Sequence, residues 1–198
     1  MRRAALIIGL LLVPIGWALS PLLLGMTGHM AGHMIAVAVV APLLAYAARG
    51  TIADPARRWP RIVTPMVMML LELLTVWGWH LPASRGAADS HALIALIEQA
   101  SFLAAGFLLW SAAIHSPARA SGIGALLLTS MHMTLLGVLI GLAPRPLYHG
   151  MHHGHGLDPL GDQQLGGVVM LVVGGASYLI GGLALLATLL RENRSAST

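Results

Sequence analysis

The chain contains no cysteine and no lysine, and only 9% of its 198 residues are charged. Without thiols there are no disulfides, no Cys-based zinc sites and no thiolate copper sites. So few charges, set against 57% hydrophobic residues and a mean hydropathy of +0.81, exclude an ordinary soluble domain and indicate a polytopic membrane protein. A net charge of +4 could suggest nucleic acid, but all eleven basic residues are Arg confined to short stretches between apolar runs. There they suit anionic lipid rather than a polynucleotide, so membrane lipid is an expected partner and nucleic acid is not. Catalytic signatures are also missing. "HMAGH" lacks the Glu of the HExxH zinc-protease motif, and no Gly-rich phosphate loop or Ser-His-Asp grouping is present. No enzymatic activity is expected.

A bilayer core of about 30 Å needs ~20 apolar residues per helix. Six stretches qualify, at roughly 4–25, 29–48, 62–80, 91–114, 121–143 and 167–190. The expected fold is therefore an all-α membrane bundle of about six transmembrane helices. Residues 1–25 form the first span, which also has signal-like features. Residues 26–190 form the rest of the bundle, and 191–198 a short cytoplasmic tail. With the N-terminus inside, nine Arg fall on the cytoplasmic side and only Arg85 and Arg145 outside. That bias places both termini in the cytoplasm.

This topology sorts the ten histidines. His29, His33, His80, His91, His149, His152, His153 and His155 fall at or near the outer face, His132 inside the fifth span, and His115 in the cytoplasm. On a helix, Met26, His29, Met30 and His33 share one face. Two imidazoles at i, i+4 can reach one metal, and added thioether sulfur favours copper, particularly Cu(I), over zinc. Interfacial His hydrogen-bonded to headgroups, with Met as filler, is the plainer alternative. At ~1.5 Å per residue, Glu72 lies roughly 12 Å below His80 and Glu98 about 10 Å below His91. Ionisable groups inside spans usually face a bundle interior, so Glu72, Glu98 and His132 together suggest one polar interior around a metal. Separate interhelical hydrogen bonds are the competing explanation.

The loop "YHGMHHGHGLD", with His149, His152, His153 and His155, reads as a flexible metal-collecting tract. "GDQQLGG" follows at the mouth of the sixth span. There Asp162 is expected to cap that helix, whereas Gln163 and Gln164 are less easily explained. Gly167, Gly174 and Gly181 recur every seven residues, as do Gly175 and Gly182, which suits close helix packing.

"HMAGHM" followed by "APLL", "WGWHLP", "EQASFLAAGFLLW", "PLYHG" and above all "DQQLGGVVM" resemble the multi-span CtaG family of cytochrome c oxidase assembly factors. The resemblance covers roughly residues 26–185. It implies a polytopic membrane protein that helps mature haem–copper oxidases at a copper step. The family's polar pattern falls on His29, His33, His80, Asp162 and Gln163. One departure stands out: Glu98-Gln99 occupies the place of an expected Glu-His pair. This chain is also shorter than many relatives, which carry an additional span.

The expected function is copper binding near the outer face of a bacterial inner membrane, in support of copper insertion into a haem–copper oxidase. His29, His33, His80 and His132 are the expected ligands, with Met26 and Met30 adding sulfur. Glu72, Glu98, Asp162 and Gln163 are accessory groups, and oxidase subunits or a second copy of the chain are partners. A copper transporter, a membrane cytochrome with paired axial His and a structural scaffold are the rivals.

Overall fold

A computed structural model of the chain describes residues 1–23, 25–148 and 156–196. The protein is all-α, 84% helical, with no strand among the described residues. Among the described residues eight helices follow one another: α1 (Arg2–Leu23), α2 (Gly25–Ala48), a single turn α3 (Pro55–Arg58), α4 (Pro65–Trp79), α5 (Pro82–Ser90), α6 (Ala92–His115), α7 (Arg119–Gly141) and α8 (Pro159–Glu192). Pro occupies the first turn of α3, α4, α5 and α8, where its missing N–H costs nothing and its fixed φ suits the helix.

Among the described residues four helices, α2, α6, α7 and α8, are each long and apolar enough to cross a bilayer. α4 has only 15 residues, too short alone for a core of about 30 Å. It bends by 70° into α5, and the pair makes a fifth candidate if taken as one broken span. The expected six is therefore approximate. The segment 82–90, read from sequence as a connection, is helical because Pro82 restarts the helix directly after the break at His80 and Leu81. α1 is a 22-residue apolar helix lying along α2, with Leu6, Ile7, Leu10, Leu11 and Ile15 turned outward. Together with exposed Leu70, Leu74, Leu135, Leu139, Ile180 and Leu183 on other helices, they give the bundle an apolar exterior.

α2 lies at the centre, in contact with α1, α6 and α8. Its buried residues Met26, Met30, Met34, Val37, Ala41 and Ala45 recur every three to four positions and so form one face. That face belongs to the same apolar core as Phe102 and Leu109 of α6, Leu126 and Met133 of α7, and Met170 and Tyr178 of α8. Two π-helical stretches, Ile35–Val40 in α2 and Met170–Gly174 in α8, touch each other in this core.

The start of the last span differs from that read off the sequence. α8 begins at Pro159, with Asp158 at its N-cap, so Asp162 and Gln163 lie inside the helix rather than at its mouth. Asp162 therefore does not cap the last span. It accepts hydrogen bonds from Met26 N at 2.6 Å and Thr27 N at 3.1 Å, satisfying the start of α2, while its own carbonyl accepts from Thr27 Oγ1. Gly25 precedes that start with φ +69, a conformation suited to glycine, and a Cβ there would run into the Asp162 carboxylate. The glycines of α8 serve packing: a Cβ on Gly167 would meet backbone of Gly137 and Gly141 on α7, and one on Gly181 would meet the Trp110 ring.

Candidate metal centre

His29 and His33 lie one turn apart on α2 and His80 caps the end of α4. The break after α4 turns the chain away at this point, which leaves the His80 ring inside the bundle. One nitrogen from each of the three rings lies within 4.8 Å of the others. Ring centroids are 5.3 Å apart for His29 and His80, 5.4 Å for His33 and His80, and 6.2 Å for His29 and His33. All three side chains are buried. Phe102 of α6 stacks on His33 at 3.8 Å with the planes 10° apart, so that ring is held flat.

The hydrogen bonds of the three rings differ. His80 Nδ1 donates to the carbonyl of Val76 at 2.6 Å, which leaves its Nε2 as the nitrogen with the lone pair. The His80 carbonyl in turn accepts from the Tyr148 hydroxyl at 2.9 Å. Burial pushes the Tyr148 phenol up to about 12, so it stays protonated and keeps donating. His29 Nδ1 instead faces Arg85 Nη1 at 2.8 Å. The Arg85 guanidinium, buried on α5, also bonds the Glu98 carboxylate of α6, and its Nη2 reaches Asp89 at 2.7 Å. Glu98 Oε2 is 3.8 Å from the same His29 Nδ1. His29 Nε2, His80 Nε2 and both nitrogens of His33 are buried without a protein partner among the described residues.

Unpaired buried polar atoms are costly, and three adjoining rings that carry four of them among the described residues are a strong sign of something that binds there. Nitrogens sharing one tetrahedral metal at 2.0–2.1 Å stand about 3.4 Å apart. The cluster thus needs only a small inward adjustment to close on an ion. Three imidazoles suit zinc, copper, iron or nickel, and no thiol is present to decide among them.

The other residues expected at the site are distributed around it. His132 on α7 is buried, with both ring nitrogens unpartnered among the described residues, but it is not part of the three-His group. Met26 and Met30 are buried on the same face as His29 and His33, and the Met26 side chain lies against Gly166 of α8. Glu98 sits beside the cluster through Arg85. Glu72 lies deeper and accepts a hydrogen bond from Tyr178 of α8. Gln163 bridges the loop after α7, accepting from Leu147 N at 2.6 Å and donating to Ile140 O at 3.1 Å. Gln99, where the resemblance implies His, is buried with Oε1 unpartnered among the described residues. His149, His152, His153 and His155 lie outside the described residues.

Arg85, Asp89, Phe102 and Tyr148 have no place in the sequence reading of the site. Arg85 carried one usable signal: it is an arginine close to apolar spans and far from the other basic clusters. No solved structure and no curated protein matches the chain. The sequence model of one family, described as cytochrome c oxidase caa3 assembly factor (Caa3_CtaG), matches residues 2–192, nearly the full length, and the chain belongs to that family.

Proposed function

We propose that this membrane-embedded oxidase assembly factor binds copper at His29, His33 and His80 and passes it to a haem–copper oxidase subunit. The observation that carries the reading is the convergence of three buried imidazoles with nitrogens that have no protein partner among the described residues. Family membership turns a generic three-His site towards copper, the metal such oxidases need at their haem–copper centre. Copper is cargo in this reading, and the protein is not an enzyme. Neutral imidazole ligands without thiolate hold Cu(I) or Cu(II) only moderately, which suits a site that must release its metal. The excess of Arg on the other side orients the centre to the outer face of a bacterial inner membrane. The His-rich segment 149–155 would collect metal near that face, Met26 and Met30 would add sulfur beside His29 and His33, and His132 would extend ligation inward.

A cytochrome is disfavoured by packing. A porphyrin between His33 and His80 would collide with His29 and Phe102, both within 6.2 Å of each ring. The test is the composition of the oxidase in cells lacking this protein. A copper role predicts oxidase polypeptides with haem inserted and copper depleted, partly restored by excess copper and not restored by a His29→Ala/His33→Ala variant. Fully copper-loaded, active oxidase in those cells would refute it.

A further inference from the structure

We propose that Arg85 is a latch on this centre, which withholds His29 as a ligand until the guanidinium moves aside; the proposal rests on the metal reading above. A neutral imidazole has one N–H and one in-plane lone pair, and a guanidinium can only donate. The 2.8 Å contact from Arg85 Nη1 therefore engages the lone pair of His29 at Nδ1 and leaves the proton on Nε2. In that state His29 has no electron pair for a metal. His80 is set the opposite way, since its Nδ1 proton is taken by Val76 O and its Nε2 lone pair is free. His33 has neither nitrogen engaged among the described residues and is open to either tautomer. The resting centre thus offers two ligands and holds a third shut.

The means of release are adjacent. Glu98 Oε2 waits 3.8 Å from His29 Nδ1, just beyond hydrogen-bond reach. Arg85 is shared between this inner carboxylate and Asp89, one turn further along α5 and partly exposed. When the guanidinium shifts towards Asp89, Glu98 becomes the acceptor for an Nδ1–H on His29. The single ring proton passes from Nε2 to Nδ1, so no proton is gained or lost overall, and Nε2 gains the lone pair. The outcome is a carboxylate–histidine–metal arrangement, which orients the ring and strengthens it as a donor. The shift also takes a cation away from an incoming cation, and repulsion between them is strong where water is scarce. His80 and Arg85 flank the same 70° break between α4 and α5, so one small rotation there moves both ligand and latch.

A latch lowers apparent affinity by the fraction of time it is open. The decisive experiment is Cu(I) competition against a chromophoric chelator, using the full chain purified in detergent. Arg85→Gln should bind Cu(I) about tenfold or more tighter than wild type. Glu98→Gln should bind roughly 10–100-fold weaker. If the Arg85–Glu98 pair only supports the fold, both variants lose affinity, and that result overturns the latch. Should Arg85→Gln fail to fold, nitrogen NMR of the wild-type histidines decides. His29 should carry its proton on Nε2 without metal and on Nδ1 with Cu(I). A metal-free His29 protonated on Nδ1 would overturn the proposal. Wild-type protein that binds no Cu(I) would remove the metal centre and the latch together. Tight wild-type binding with weaker Arg85→Gln would remove the latch alone.

Discussion

His29 and His80 stand 5.3 Å apart, ring to ring, and opposite hydrogen bonds hold them, an arginine donor on one Nδ1 and a carbonyl acceptor on the other. Two rings of one cluster thereby meet opposite kinds of partner, supplied by groups on two different helices, α4 and α5. This makes the centre more specific than a chance meeting of histidines. It also separates residues that shape the centre from residues that only hold the bundle.

Asp162 belongs to the second group. Its carboxylate satisfies the first N–H groups of α2, one turn before His29. Asp162→Ala should cost about 1–2 kcal/mol, typical of a lost cap, and Asp162→Asn should recover most of it. Thermal unfolding in detergent measures this, with Cu(I) stoichiometry unchanged in the Asn variant. An Asn variant as stable as wild type but without metal would instead make Asp162 part of the centre.

Tyr178 and Glu72 form a separate buried pair deeper in the bundle. Tyr178→Phe leaves the carboxyl short of a partner and should cost about 1–3 kcal/mol. The same unfolding assay checks it, and Cu(I) affinity should not change. A fall in affinity would tie Glu72 to the metal.

The contact between α7 and α8 depends on absent side chains. At Gly167 a Cβ would meet only backbone of Gly137 and Gly141, which cannot rotate away, whereas at Gly124 it would meet nothing. Gly167→Ala should destabilise by about 1–3 kcal/mol. Gly124→Ala should be neutral or stabilising by up to about 1 kcal/mol, the helix preference for Ala. Equal unfolding temperatures for the two variants would contradict this packing.

Much of this was legible in the chain because helical periodicity is local. The i, i+4 spacing of His29 and His33 needs no tertiary information, and apolar runs of ~20 residues reveal spans directly. His80 was drawn in by the resemblance and its place at a span end. Arg85 was legible only as an isolated arginine and not as part of the site, because "ASRGAADS" is short and polar and shows no sign of a helix packed against α6. Its burial depends on Glu98, 13 residues away, and on a bend that only the packed structure displays. The partner of Asp162 lies 136 residues earlier, which no window along the sequence connects.

Orientation follows from the Arg distribution and bears on where the centre loads. A reporter enzyme active only outside the cytoplasm should work when inserted within residues 149–156 and fail when fused after Thr198. The reverse pattern would put the His cluster on the wrong side for the proposed role.

The central claim is that three buried histidines form one metal centre. The most direct measurement is the metal content of the full chain purified from copper-supplied cells, compared with His29→Ala, His33→Ala and His80→Ala variants of equal yield and fold. The account predicts about one copper per wild-type chain and tight binding lost in His33→Ala and His80→Ala, with His29→Ala weakened by roughly 10-fold or more. Copper retained at wild-type level in all three variants, or absent from wild type, would contradict it.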